Sequence, residues 1–353
     1  MAKPKYKSQR RPSAPSIAKR PRASANGQAR PRENSKPPPE PLPERMVWKG
    51  ARLAERTSMV LETEATADYA LLDSGAGRKL ERYGDVIVDR PEGQALWLPA
   101  LPQSTWDQAD AIFTGNTEEE GAGRWKFPKG NRGETWPLAF DGVGFHGRFT
   151  SFRHVGVFPE QAAHWHAMQT AIRAAKRPVK MLNLFGYTGV ASLVGARAGA
   201  EVTHVDASKK AIQWARENQL EGGLQDAPIR WICEDAVKFC AREVRRGNTY
   251  DIILLDPPAF GRGPKGEVWQ FFEHVPLMLD LVRQLQAEKP IMTVLTSYAI
   301  RASSFALHEL MQEVFAGMAG RIETGELILR QEGGERMLST SMFSRHIGEG
   351  VDV

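Results

Sequence analysis

Residues 151–353 are predicted to form a doubly wound α/β sheet, and three observations predict it. Apolar strand candidates alternate with helical windows through that span, and each strand is apolar along its whole length, as in a parallel sheet covered on both faces. Glycine turns and aspartates recur where those strands end, which is where open parallel sheets bind ligands.

The first helix follows Pro159 and runs through Ala162, Met168 and Ile172 to about residue 177. Strands are expected over 179–184, 201–205, 229–232, 250–255 and 291–295. Helices are expected between and after them, over 190–198, 209–218, 236–246, 269–286 and 303–315. Two last strands, 323–330 and 336–344, flank Glu332-Gly333-Gly334-Glu335 and read as a terminal antiparallel hairpin.

Residues 46–150 read as a small, mainly β substrate-recognition domain. Asp85-Val86-Ile87-Val88-Asp89 is a strand candidate, and Ser74-Gly75-Ala76-Gly77 and Gly121-Ala122-Gly123 mark turns. Trp97, Trp106, Trp125 and Trp136 are interleaved with Arg124, Lys126, Lys129 and Arg132. Indoles beside cations suit base stacking next to phosphates, and they equally suit the core of a small sheet.

Residues 1–45 carry twelve Lys or Arg against three Glu and almost no large apolar side chains, so they are expected to be a disordered basic tail. Such a tail serves either as an arm that grips phosphates or as a solubilising extension. The positive charge is concentrated there, since residues 46–150 hold twelve basic against sixteen acidic side chains and residues 151–353 balance at twenty-three each. No apolar run is long enough for a membrane span or a secretory signal. Cys233 and Cys240 are too few for a disulfide framework, which points to a reducing cytoplasm.

The chemistry sits at the strand ends. The first strand of the series runs into Asn183-Leu184-Phe185-Gly186-Tyr187-Thr188-Gly189, where two glycines let a ligand approach the backbone. The second ends at Asp206, at the distance where a carboxylate accepts from ribose hydroxyls. Taken alone, this half of the signal also suits a nicotinamide cofactor. However, Tyr187 stands where a pyrophosphate fingerprint needs its second glycine, and a phosphate-free cofactor has no such need. After Ile252-Ile253-Leu254-Leu255 comes Asp256-Pro257-Pro258-Ala259-Phe260. The prolines stiffen the backbone and leave carbonyls for an amine, Asp256 adds an acceptor, and Phe260 offers a face to a flat base. The plainer reading is a rigid turn with an aspartate cap.

With Val157-Phe158-Pro159-Glu160-Gln161, Asp206-Ala207-Ser208 and Glu234-Asp235-Ala236, these motifs resemble the class I S-adenosylmethionine-dependent methyltransferases, and within them the bacterial 23S ribosomal RNA methyltransferases. The resemblance is strong from about residue 150 onward and looser over 60–150. It implies a Rossmann-like sheet and S-adenosylmethionine as cofactor. By this resemblance Phe185, Gly186, Tyr187, Thr188 and Gly189 border the cofactor at its methionine end. Asp206, beside Ala207 and Ser208, holds the ribose, and Asp235 with Ala236 meets the adenine. Asp256, Pro257, Pro258 and Phe260 hold the target base, and Pro159, Glu160 and Gln161 help close the pocket.

Methyl transfer from a sulfonium is chiefly a positioning problem, which suits a region without a metal cluster or a nucleophile–base pair. His154, His164 and His166 lack the spacing of metal ligands. Relatives that methylate carbon 5 of cytosine need a cysteine soon after the fifth strand, and Thr293-Val294-Leu295-Thr296-Ser297-Tyr298 has none, so a base nitrogen is the expected target. Ribosomal or other RNA is the expected partner. The alternatives are a small-molecule or protein methyltransferase and, from a different class, a non-catalytic RNA-binding or assembly factor that retains the cofactor pocket.

Overall fold

The computed structural model describes residues 43–115, 123–130, 132–298 and 300–353. The expected basic tail, up to residue 42, and Gly121 and Ala122 of the expected turn lie outside the described residues.

The chain enters as strand β1 (Ala54–Thr63) and then forms β2 (Tyr69–Gly75), β3 (Arg78–Tyr83), β4 (Val86–Pro91), the one-turn helix α1 (Gln103–Trp106), β5 (Ala111–Gly115), β6 (Gly123–Lys126), β7 (Thr135–Phe140) and β8 (Val143–Arg148). A 3-10 turn over Pro159–Gln161 leads into α2 (Ala162–Ala174). The alternating series follows: β9 (Lys180–Leu184), α3 (Val190–Ala198), β10 (Glu201–Asp206), α4 (Lys209–Glu221), β11 (Ile229–Cys233), α5 (Ala236–Arg245) and β12 (Ile252–Leu255). After a short hairpin of β13 (Phe260–Arg262) and β14 (Val268–Gln270) come α6 (Phe271–Gln284), β15 (Met292–Ser297), α7 (Ser304–Val314), β16 (Arg321–Arg330) and β17 (Met337–Ile347).

The large sheet has the order β1-β16-β17-β15-β12-β9-β10-β11. Strands β9, β10, β11, β12 and β15 are parallel, and β17 lies antiparallel between β15 and β16, so the expected terminal hairpin is present. The continuous apolar strands are explained by burial on both faces. Ile252, Leu254, Met292 and Val294 point into one core, and Ile253, Leu255 and Leu295 into the other, under α5, α6 and α7. The first of these cores continues through Tyr83, Val88, Trp136 and Phe145 of the small β region, so that region and one face of the large sheet share a single apolar interior.

Three features depart from expectation. β1, placed by sequence in the recognition domain, pairs in parallel with β16 and forms an edge of the large sheet. Its polar sequence, Ala-Glu-Arg-Thr-Ser-Met-Val-Leu-Glu-Thr, suits an edge and hid its partner. The approach requires Gly325, because a Cβ there would lie 1.8 Å from the Met59 carbonyl oxygen where β1 bulges. Trp269, expected to start a helix, belongs to β14, where its indole N–H donates to the Pro258 carbonyl (2.8 Å) and anchors the small hairpin. The remaining small strands form a five-stranded sheet, β2-β3-β4-β5-β6, and the β7-β8 hairpin. Among the described residues no helix is long and apolar enough to cross a membrane.

Candidate active site

Sheet order reverses between β9 and β12, and the ends of the central strands open there into a cleft of about 380 Å³. Its wall brings together Phe185, Tyr187, Asp206, Ala207, Ser208, Asp235, Ala236, Asp256, Pro257 and Pro258 of the sequence-predicted residues.

The loop after β9 is unusual in its backbone. Phe185 (φ 58°), Tyr187 (φ 51°) and Gly189 (φ 82°) all adopt the left-handed region, which costs of the order of 1–3 kcal/mol at each non-glycine. The surroundings hold it. Tyr187 N–H donates to the Asp206 carboxylate (2.9 Å), Gly186 N–H to the Val205 carbonyl (3.1 Å) and Gly189 N–H to the Gly186 carbonyl (3.0 Å). Thr188 Oγ1 donates to the Gly156 carbonyl (2.6 Å), and the Phe185 ring packs on Trp269 with centroids 4.8 Å apart. At Gly186 a Cβ would stand 2.4 Å from the His204 ring, so inner packing also requires glycine there. Gly189 likewise packs against Trp231 and does not line the cleft.

Asp206, half-buried in the cleft wall, accepts from Tyr187 N–H and from Ser208 N–H (2.7 Å). Burial raises its pKa, and the two amides offset this only in part. Asp235 caps α5 by accepting from Lys238 N–H (3.0 Å), which fixes it beside the buried Ala236.

At the end of β12, Asp256 N–H donates to the Leu184 carbonyl (3.4 Å), tying the two switch-point strands together. Gln161 Nε2 donates both to Asp256 (3.3 Å) and to the Tyr298 hydroxyl (3.1 Å), while Thr296 Oγ1 donates to Gln161 Oε1 (3.4 Å). Sequence reading named Gln161 and Asp256 and missed Tyr298. The signal was present, since Tyr298 directly follows the fifth strand, but that position was read only for a missing cysteine.

Some predicted residues lie elsewhere. Phe260 sits 42% exposed on β13 with the Arg262 guanidinium over its ring (5.9 Å), outside the cleft, because the hairpin turns it outward. The Pro258 carbonyl, expected to be available, is taken by the Trp269 indole. Pro159 lines a separate cavity against Tyr69 and Phe145, Glu160 lines a polar cleft described below, and Gln161, Gly186 and Thr188 surround a small cavity of about 60 Å³ beneath the loop. Phe152, His154, Phe158 and Trp269 complete the cleft and were not anticipated.

Trp97, Trp106, Trp125 and Trp136 serve the interior of the β region. Trp97 donates to Ser74, Trp106 to Asp73, Trp125 to the Phe152 carbonyl and Trp136 to the Tyr83 carbonyl. Lys129 is paired with Asp110, and Arg132 with Asp85 and Asp110.

A solved structure, the S-adenosylmethionine-dependent methyltransferase from Agrobacterium tumefaciens, is 59% identical, with a TM-score of 0.84 over 86% of this chain and 98% of that one. This chain belongs to the S-adenosylmethionine-dependent methyltransferases. A family profile described as conserved hypothetical protein 95 matches residues 159–270 of the methyltransferase. Ribosomal RNA large subunit methyltransferase K/L of Pseudoalteromonas atlantica is 27% identical over 67% of this chain and 36% of that protein. Ribosomal RNA large subunit methyltransferase I of Shewanella denitrificans is 41% identical over 23% of this chain and 20% of that protein. The methyltransferase therefore spans little more than a third of the length of the first of these curated relatives and a fifth of the second.

Its cofactor is S-adenosylmethionine, and the cleft fits that molecule. The volume lies in the range of about 300–1,000 Å³ typical of small-molecule sites. Three amides of the loop after β9 are engaged inside the protein, so the loop offers no cradle for a pyrophosphate, and the nicotinamide alternative loses its anchor. Among the described residues no group of three or more His, Cys, Asp or Glu could hold a metal ion.

Proposed function

We propose that the methyltransferase modifies a base of RNA, most directly ribosomal RNA, at a nitrogen. The observation that carries this reading is the position of Asp256. Its carboxylate lines the cofactor cleft and is joined through Gln161 to Tyr298, which together with His154 and Phe158 also lines a second, polar cleft. A base entering from the polar side reaches Asp256 and the Pro257-Pro258 corner, where carbonyl and carboxylate oxygens accept from an amine and hold its lone pair in line.

S-adenosylmethionine supplies a methyl group made electrophilic by its sulfonium. In this reading Asp206 accepts from the ribose hydroxyls, Ala207 and Ser208 border the same sugar, and Asp235 with Ala236 faces the adenine. Phe185 and Tyr187 flank the methionine end, and Gln161 is a positioning residue that spans Asp256, Tyr298 and Thr296. The thiols support nitrogen over cytosine carbon 5. Cys233 is exposed on β11 with its pKa raised by burial and by Asp206, and Cys240 is buried under α5 and pushed far up by desolvation. Neither lines the cleft as a thiolate nucleophile would. The names of the relatives similar in sequence support ribosomal RNA as the substrate, in the reducing cytoplasm where both cysteines remain thiols.

The test is nucleoside mass spectrometry of ribosomal RNA from cells with and without the gene. The expected result is loss of one N-methylated nucleoside, restored by the intact chain and not by Asp256→Ala. An unchanged nucleoside profile overturns the RNA reading, and loss of a 5-methylpyrimidine overturns the nitrogen reading. A second reading, a protein or small-molecule substrate, is favoured by the internal pairing of Lys129 and Arg132, and it predicts substrate affinity nearly independent of salt.

A further inference from the structure

The polar cleft, about 610 Å³, opens between the small sheet and the end of the large one. Its near wall comes from β3, β4 and the turn after them, and its far wall from Arg153, Glu160 and the loop that carries Tyr298 and Arg301. Four cations, Lys79, Arg90, Arg153 and Arg301, face two carboxylates, Glu92 and Glu160.

These cations are not equivalent. Arg90 is committed to Glu81, with its two nitrogens 2.5 and 2.9 Å from the carboxylate, and Lys79 lies 3.2 Å from Glu92. Arg153 spends one nitrogen on the Pro91 carbonyl (3.0 Å), which fixes its guanidinium at the cleft wall. Arg301 is exposed and makes no ion pair among the described residues. Lys79, Arg90 and Arg153 thus all have partners within the fold, Arg153 also acting on Glu92, and positive charge is offered at Arg301. An exposed arginine lining a polar cleft, with no ion pair among the described residues, fits an oxyanion, which a guanidinium binds with paired N–H groups.

Toward the cofactor, the cleft ends at Phe158 and Tyr298, whose ring centroids are 5.2 Å apart. Both rings also line the cofactor cleft, so an anion seated beside Arg301 is separated from Asp256 by two aromatic faces, a passage suited to a flat heterocycle.

We propose that this cleft seats the ribose-phosphate of the target nucleotide, with Arg301 on its phosphate and the base passing Phe158 and Tyr298 to reach Asp256. The assignment rests on the RNA reading above and adds the residue that grips the backbone.

The test uses the full chain and a fluorescein-labelled, random-sequence, twelve-nucleotide single-stranded RNA titrated at several salt concentrations, with S-adenosylhomocysteine affinity measured in parallel by calorimetry. Arg301→Ala is expected to weaken RNA binding about fivefold or more at low salt and to make the log–log salt slope shallower by about one, as loss of one phosphate contact does. Arg301→Lys, which keeps the charge and loses the paired N–H groups, should keep the wild-type salt slope and bind with an affinity between those of wild type and Arg301→Ala. Arg173→Ala removes an exposed charge at the end of α2 that leads toward the start of β9, away from the cleft, and should leave RNA affinity within about twofold. S-adenosylhomocysteine affinity should be unchanged in all three.

If wild type binds RNA and Arg301→Ala binds it equally, the cleft assignment falls while the RNA reading stands. Weakened S-adenosylhomocysteine binding in Arg301→Ala would assign the arginine to the cofactor's carboxylate and overturn the proposal. Absence of RNA binding by wild type overturns both.

Discussion

Glu81 in the small sheet and Asp206 in the large one are both withdrawn from bulk water, and the protein treats them in opposite ways. Glu81 is 0% exposed, and burial by itself would raise its pKa. Arg90 on two nitrogens, Lys79 and the Tyr69 hydroxyl outweigh that and pull it down to about 2. At Asp206 burial prevails over the two amide donors, and the carboxyl pKa is raised from its ordinary value. An ionised carboxylate has about four acceptor positions, and Glu81 has filled its own with cations and hydroxyls of the fold. Asp206 keeps capacity for a ligand. The first pattern builds a framework and the second builds a site.

The largest effect separating them is expected from Glu81→Gln. Removing one partner of a buried ion pair strands Arg90 and should cost about 3–5 kcal/mol of stability in urea unfolding, with cofactor affinity of the folded protein little changed. A loss under about 1 kcal/mol would mean that the network is not structural. Asp206→Ala should do the reverse. Loss of charge-assisted hydrogen bonds worth about 1.5–3 kcal/mol should weaken S-adenosylhomocysteine binding roughly ten- to a hundredfold by calorimetry, with a smaller change in unfolding than Glu81→Gln. Unaltered affinity would remove Asp206 from the ribose.

The smallest effect sharpens the contrast by pH. Glu81, depressed in the fold, contributes stability that is complete above its unfolded pKa of about 4.3 and is lost as pH falls toward about 2. Asp206, raised in the fold, is protonated earlier on the way down, and with it goes an acceptor for the ribose. Acidification should therefore weaken cofactor binding before the Glu81 contribution to stability is lost. Calorimetry and circular dichroism at matched pH values check this, and a simultaneous fall of both would erase the distinction.

Much of the site was legible because its signals are local. Asp256-Pro257-Pro258 follows an apolar run that can only be a buried strand, and Asp206 closes another, so their places at neighbouring strand ends follow from the alternation. Phe260 was misread because a motif gives residue order and not the direction of a side chain. Gly261, Gly263 and Gly266 beyond it permit a hairpin that turns Phe260 out and Trp269 in. At Gly186 the His204 ring on the next strand adds a constraint that is invisible in the loop's own sequence. Trp97, Trp106, Trp125 and Trp136 showed bulk and polarity, and only their indole partners showed that they face inward.

The sequence by itself determined the parallel sheet, its closing antiparallel hairpin and the set of strand ends that surround the cofactor, because hydrophobic period and turn chemistry act over a few residues. It took the folded chain to place β1 in the large sheet, to set Gln161 between Asp256 and Tyr298, and to leave Arg301 without an ion pair among the described residues in the lining of a second cleft. Those are contacts between segments far apart in the chain. They depend on sheet order and on which charges have already found partners, and no local pattern encodes either.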